Sequence, residues 1–257
     1  PNTNVHWRPY ADSMYLSARD SSFVFFKEGG HTLRPTLILT PSGVKGSGVF
    51  NWEKGTLQSK MFTFGAHAVS ADTMNMSISA LQDSIEAEQL AFDTRNIQGK
   101  IDFDKQIGSF KSNSIKAGEI PTTMPGVRYK TSIGEFDWDL AGKAIDFKSD
   151  GRDALFLCID PNQDSLRFFG TRASYDLSNN ILRIGGVQYL QVCDAYLHPS
   201  DQNVQVELKG KMTRFENAKI VCDTATRHHV INRANILVSG RKAYSADGFY
   251  EYNVAGK

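Results

Sequence analysis

Between residues 136 and 210 the chain repeats one plan about every 20 residues: an alternating apolar pair, a polar turn, and a second alternating pair. Phe136-Asp137-Trp138-Asp139 turns at Ala141-Gly142-Lys143 into Ile145-Asp146-Phe147. Leu157-Cys158-Ile159 turns at Asp160-Pro161-Asn162 into Leu166-Arg167-Phe168, and Ala173-Ser174-Tyr175 turns at Ser178-Asn179-Asn180 into Leu182-Arg183-Ile184. Ala195-Tyr196-Leu197 returns through Pro199 to Asn203 as Val204-Gln205-Val206-Glu207-Leu208. Alternation at period two buries one face of a strand, while Gly, Asn, Asp and Pro supply the backbone angles of a tight reversal. Each unit is therefore a β-hairpin, and an isolated hairpin cannot bury its apolar face. The units must stack or fold over one another.

Weaker copies precede this region and looser ones follow. Val49-Phe50-Asn51-Trp52 turns at Glu53-Lys54-Gly55 into Leu57, and Ile101-Asp102-Phe103-Asp104 turns through Gly108 into Phe110. Ala218, Ile220 and Cys222 alternate with polar neighbours, as do Ile236 and Val238, and Gly248 to Tyr252 reads as a closing aromatic strand. Met74, Met76, Ile78 and Ala80 alternate as a strand, although Ile78, Leu81, Ile85 and Leu90 with Glu86 and Glu88 also fit a short helix face. The expected fold is all-β with little helix: an elongated stack of antiparallel hairpins forming an open β-sandwich. Pro121 to Gly126 is the best hinge, dividing an N-terminal β region (1–120) from a regular hairpin stack (121–257), or marking a bend within one continuous unit.

The side chains expected inside such a sandwich are Trp52, Phe103, Trp138, Phe147, Tyr175, Ile184, Val206 and Leu208. They make either a plain core or, if the layers splay, the lining of a groove that takes an acyl chain, gaining ~0.8 kcal/mol per buried CH₂.

Charge narrows the partners. The 29 basic and 28 acidic side chains nearly cancel, so nothing draws the chain as a whole to nucleic acid or an anionic surface. No apolar run approaches the ~20 residues of a membrane-spanning helix. A start at Pro1 is expected of a trimmed chain or of a piece of a larger protein or assembly. Cys158, Cys193 and Cys222 make no disulfide framework. The similar contexts Val192-Cys193-Asp194 and Val221-Cys222-Asp223 suggest small apolar residues at equivalent strand positions, with pairing between them undecided.

Chemistry is sparse. Asp102 with Asp104, and Asp137 with Asp139, place paired carboxylates on one strand face, a spacing compatible with glycoside hydrolysis or Ca²⁺. With Phe103 and Trp138 inward, however, those four point to solvent and protect the sheet from edge pairing. His228 and His229 are adjacent and face opposite ways in a strand, and Arg227, His228 and Arg233 form a local basic cluster for a phosphate or acidic sugar, or a solvated edge. No nucleophile elbow, phosphate loop or zinc spacing occurs. No catalytic residue, metal ligand or cofactor is expected.

The units from Phe136 to Phe147 and from Ala173 to Ile184 resemble the OstA-type repeat of periplasmic lipopolysaccharide-transport proteins, over about residues 100 to 252. That resemblance implies a V-shaped, β-taco or jelly-roll-like stack carrying lipid along its interior, with no catalytic residues, in the periplasm or at the cell envelope. Ala91-Phe92-Asp93-Thr94 leading into Ile101-Asp102-Phe103, and Ser239-Gly240-Arg241 to Tyr252, are similar to large secreted β-repeat proteins of Bacteroidota. The first 65 residues, rich in Pro, Gly and aromatics, depart from the lipid-carrier pattern. The expected function is a non-enzymatic envelope module that binds or conducts an amphipathic ligand such as lipid, or scaffolds other envelope proteins. Two alternatives stand beside it: a structural or adhesive repeat with a closed core, and a carbohydrate-binding or carbohydrate-active β protein.

Overall fold

A computed structural model describes residues 3–26, 30–81, 90–113, 119–149 and 151–250. Among these, 23 strands join through antiparallel pairs into one hydrogen-bonded sheet, and helix is limited to the 3-10 turns Pro9–Ala11, Pro161–Gln163 and Leu208–Gly210. The chain is all-β, as the alternation requires.

The N-terminal part is a set of long strands: β1 (Thr3–Arg8), β2 (Ser13–Ala18), β3 (Phe23–Phe25), β4 (His31–Thr40), β5 (Gly43–Trp52), β6 (Gly55–Phe64), β7 (Ala68–Ser79) and β8 (Leu90–Asp102). β4 to β8 pair in sequence order, while β2 and β3 share the free edge of β4 and β1 lies on β2. The register slips between Gly46 and Gly48 and again between Ala71 and Met74. Such extra residues bend a strand and increase its twist. Gly48 is required at its slip: φ is +118°, and a Cβ there would lie 1.9 Å from the Arg34 carbonyl oxygen. Met74, Met76 and Ile78 are all buried on β7, so the alternation wins over the helix reading as far as Ser79. Ile85, Glu86 and Glu88 lie outside the described residues.

The remaining strands are short until the end: β9 (Ile107–Ser112), β10 (Thr122–Met124), β11 (Tyr129–Thr131), β12 (Glu135–Asp139), β13 (Ala144–Lys148), β14 (Ala154–Cys158), β15 (Arg167–Gly170), β16 (Arg172–Asp176), β17 (Ile181–Gly185), β18 (Leu190–Val192), β19 (Ala195–His198), β20 (Asn203–Val206), β21 (Phe215–Cys222), β22 (His229–Gly240) and β23 (Ala243–Tyr250). At β8 the sheet divides. Residues 97–102 of β8 pair with β9, and Asp93 and Thr94 pair with β10. One layer then runs β9, β12, β13, β16, β17, β20. The other runs β10, β11, β14, β15, β18, β19, β21, β22, β23. The segment read as a hinge, Pro121 to Gly126, is thus β10 and its turn, hydrogen-bonded to β8 at the division.

Successive hairpins alternate between the layers, joined by short corners. Residues 132–134 join β11 to β12, and Thr171 alone joins β15 to β16. Thr171 donates its N–H to the Gly185 carbonyl, and Gly186 (φ +73°) sits so close that a Cβ would be 2.0 Å from the Thr171 hydroxyl. Corners lie along one side of the fold and hairpin turns along the other.

The space between the layers is filled. Phe136, Ile145, Tyr175, Leu182 and Val206 from one layer and Tyr129, Phe156, Leu190, Leu197 and Ile220 from the other are 0 % exposed. They belong to one apolar cluster that extends from Leu33 to Val238. Close-packed aromatics such as Phe110 on Phe136 (5.1 Å) and Phe156 on Phe168 (5.9 Å) leave little free volume between strands.

The turn side of the stack is bridged over its C-terminal half. The chain leaving β20 crosses from one layer to the other. There Lys209 donates its N–H to the Gly126 carbonyl, and Gln163 Nε2 donates to the Gly210 carbonyl at 2.7 Å. Arg241 donates to the Gln163 carbonyl and accepts from the Cys193 N–H. Tyr175 donates its hydroxyl to Asn180 Oδ1 (2.9 Å), which lies against Gly126. Arg128 and Asp160 form an ion pair at 2.6 Å in the same region. The Asn162 N–H first, and the Arg128 guanidinium with it, hold the Asp160 carboxyl below its ordinary pKa against the opposing effect of burial. Beneath them, burial pushes the Cys158 thiol and the Tyr129 hydroxyl upward.

Two sequence expectations fail here. Leu208 does not point inward: it is 40 % exposed, because alternation ends at Val206 and the following turn puts Lys209 at φ 60°. Cys193 and Cys222 are not equivalent strand positions. Cys193 is exposed in the β18–β19 turn at φ 52°, whereas Cys222 ends β21 and is half-buried; neither forms a disulfide.

Candidate functional site

The unbridged half of the turn side holds a cleft of about 870 Å³. Its walls come from the Trp52–Gly55 end of β5 and β6, the β6–β7 turn, the β8–β9 turn and the β12–β13 turn. These turns are tied together in a row: Phe103 donates its N–H to the His67 carbonyl, Leu140 to Gln106, and Leu177 to Lys143.

The floor is aromatic. Trp52 lies 5.5 Å from Trp138 and meets Phe103 edge-on at 5.8 Å. Phe103 also contacts Phe26 at 5.3 Å and His31 at 4.4 Å. Trp52 and Trp138 are 4 % and 6 % exposed, while Phe26 and Phe103 are only partly buried and present the accessible ring surface. Gly55 permits the approach of β6, since a Cβ there would lie 2.5 Å from the Trp52 ring. The Trp138 indole N–H is buried, with no acceptor among the described residues.

The rim is polar and mixed in sign. His67 Nδ1 and Asp104 Oδ1 are 2.7 Å apart, with Phe26 edge-on to the imidazole. Gln106 donates its side-chain amide to the Phe103 carbonyl (2.7 Å). Glu53, Lys54 and Lys143 complete the edge.

Of the eight side chains expected to line an interior groove, the fold brings Trp52, Phe103 and Trp138 to this cleft. Phe147 packs against Phe136 and Phe92 and, with Ile184, borders a second hollow described below, while Tyr175 and Val206 lie deep in the core. Leu208 is on the surface. The set is therefore divided among two separate hollows, the core and the surface. Sequence reading missed Phe26, His31 and His67, which come from the part that departs from the repeat; the Phe25-Phe26 pair and His31 at the head of an alternating run were the available signals.

The paired carboxylates serve local structure instead of one site. Asp102 accepts from the Lys105 N–H, Asp104 faces His67, Asp137 pairs with Lys148 at 2.5 Å, and Asp139 accepts from the Gly142 N–H. Among the described residues no group of three or more His, Cys, Asp or Glu side chains is placed to hold a metal. In the basic cluster, Arg227 lies over Tyr196 and Arg233 over Phe249, while His229 contacts the Tyr250 hydroxyl. A second hollow, about 880 Å³, lies along β13, β16, β17 and β20, where the register sets Asp146, Ser174, Arg183 and Gln205 in a transverse row. Among the described residues no helix is long and apolar enough to cross a membrane. No protein-family model matches this chain, and neither a curated protein nor a solved structure matches it.

Proposed function

We propose that this chain is a non-enzymatic structural module of a cell-envelope or secreted β-repeat protein, a closed stack whose outer surfaces and terminal strands meet protein partners. The observation that carries this reading is the filled interior. Tyr175, Ile184 and Val206, where a conducted lipid would have to pass, are at or below 1 % exposure. Admitting an acyl chain means displacing such side chains, each of which stabilises the fold by about 1.5–3 kcal/mol when buried. The bridges from Gly126 and Gln163 to the crossing segment cover the C-terminal half of the turn side. The envelope setting rests on the resemblance of the hairpins to the transport repeat.

The strand edges support a scaffolding role. Among the described residues, β1 pairs only with β2 and β23 only with β22. Both carry exposed apolar side chains: Val5 (59 %) and Trp7 (48 %) on the first, Phe249 (66 %) on the last. An unpaired apolar edge is a template for another strand.

Native mass spectrometry on chain purified from an envelope fraction tests the reading, combined with photo-crosslinkers at Val5 and Phe249. The expected result is bare protein mass and protein-sized adducts at both edges. Stoichiometric retained lipid, or an absence of adducts at both edges, overturns it.

A further inference from the structure

We infer that the cleft over Trp52, Phe103 and Trp138 is a binding site for a neutral, hydroxylated ring compound, a pyranose unit at the end of a short glycan. This goes beyond the scaffolding role and does not depend on it. The volume of about 870 Å³ falls in the ~300–1,000 Å³ range of small-molecule sites.

The lining chooses among ligand classes. An acyl chain wants a continuously apolar channel, whereas here Glu53, Lys54, Asp104, Gln106 and Lys143 interrupt the apolar lining. A quaternary ammonium needs an aromatic box with excess negative charge. Here Lys54 and Lys143 offset Glu53 and Asp104 at the rim. The same balance disfavours a phosphate or carboxylate ligand, which wants converging cations. What the site offers is partly exposed phenyl surface at Phe26 and Phe103, with donors and acceptors interspersed around it. A sugar ring has this pattern in reverse, with C–H faces that lie on aromatic rings and equatorial hydroxyls that both donate and accept.

Two further features fit. At the exposed rim His67 Nδ1 lies 2.7 Å from Asp104 Oδ1, so an imidazole and a carboxylate stand side by side for a ligand's hydroxyls. The indole N–H of Trp138, a cleft residue, is buried with no acceptor among the described residues, although buried donors are almost always paired. A ligand hydroxyl seated at the floor would supply one.

Two of the three tryptophans lie at the cleft, so intrinsic fluorescence reports occupancy once Trp7 is removed as Trp7→Phe. The probes are maltohexaose, cellohexaose and chitohexaose, with decanoate and choline as the rival classes. The expected result is saturable change with at least one oligosaccharide at a Kd of about 1 mM or below, and neither rival binding. Gln106→Ala and Asp104→Ala are each expected to weaken it about tenfold without moving the melting temperature. Binding of decanoate or choline alone, no response to any oligosaccharide at about 10 mM, or oligosaccharide binding indifferent to both rim variants overturns the proposal.

Discussion

Replacing Phe136 by alanine tests whether the two layers enclose packed side chains or a groove. Phe136 is 0 % exposed and contacts Phe92 at 5.3 Å, Phe110 at 5.1 Å and Phe147 at 5.9 Å. A buried Phe→Ala change costs about 3–5 kcal/mol in transfer and cavity terms. Three ring contacts, each worth about 0.5–1.5 kcal/mol beyond area, place this site in the upper half of that range. Urea unfolding followed by circular dichroism should therefore give a loss of about 4–5 kcal/mol with an unchanged slope. Calorimetry should show the transition about 8–20 °C lower for a chain of this length. In a groove the phenyl would be half in contact with solvent or lipid, and its removal would cost about 1–1.5 kcal/mol. A measured loss below about 2 kcal/mol would refute the packed-interior reasoning.

Other expectations follow from the bridged side and the surface. Asp160→Asn should destabilise by about 1.5–3 kcal/mol at neutral pH, since the Asp160 side chain is 7 % exposed and the charge that strengthens its bonds to Arg128 and Asn162 is removed. Because the fold lowers the Asp160 pKa, that contribution is full above the unfolded carboxylate value near ~4 and fades as pH falls through the folded value; urea midpoints of wild type and variant should converge only below about pH 4. Gly126→Ala would set a Cβ 2.6 Å from Asn180 Oδ1 and 3.2 Å from the Tyr175 hydroxyl, and should cost about 1–3 kcal/mol by thermal melts. Lys148→Ala removes a half-exposed pair with Asp137 and should change stability by less than about 0.5 kcal/mol in the same assay.

The local half of this architecture was open to reading from the residues. Phe136 opposite Phe147 and Trp138 opposite Ile145 is the register the alternation and the Ala141-Gly142-Lys143 turn imply. The same holds for Tyr175 opposite Leu182. What alternation cannot reveal is which hairpin lies beside which, because β13 pairs with β16 across an intervening hairpin and nothing in either strand encodes that skip. Thr171, a one-residue corner, was the only strong local hint. The cleft was half legible. Trp52, Phe103 and Trp138 were chosen as aromatic strand residues facing inward, but their meeting depends on the turns at residues 65–67, 103–106 and 140–143 lining up in space. Leu208 misled for the opposite reason: it continues the alternation in sequence after the strand has ended.

The skip in pairing gives the fold the character of a two-start thread, in which neighbours along the chain advance different layers. Excising one hairpin, such as β14 with β15, would leave the facing layer one unit too long and uncover its apolar side. Excising two consecutive hairpins would shorten both layers together and keep every face covered. The unit of growth in such a chain is thus four strands rather than two, about twice the repeat visible in the sequence. Variation in length among chains built this way should come in steps of that size.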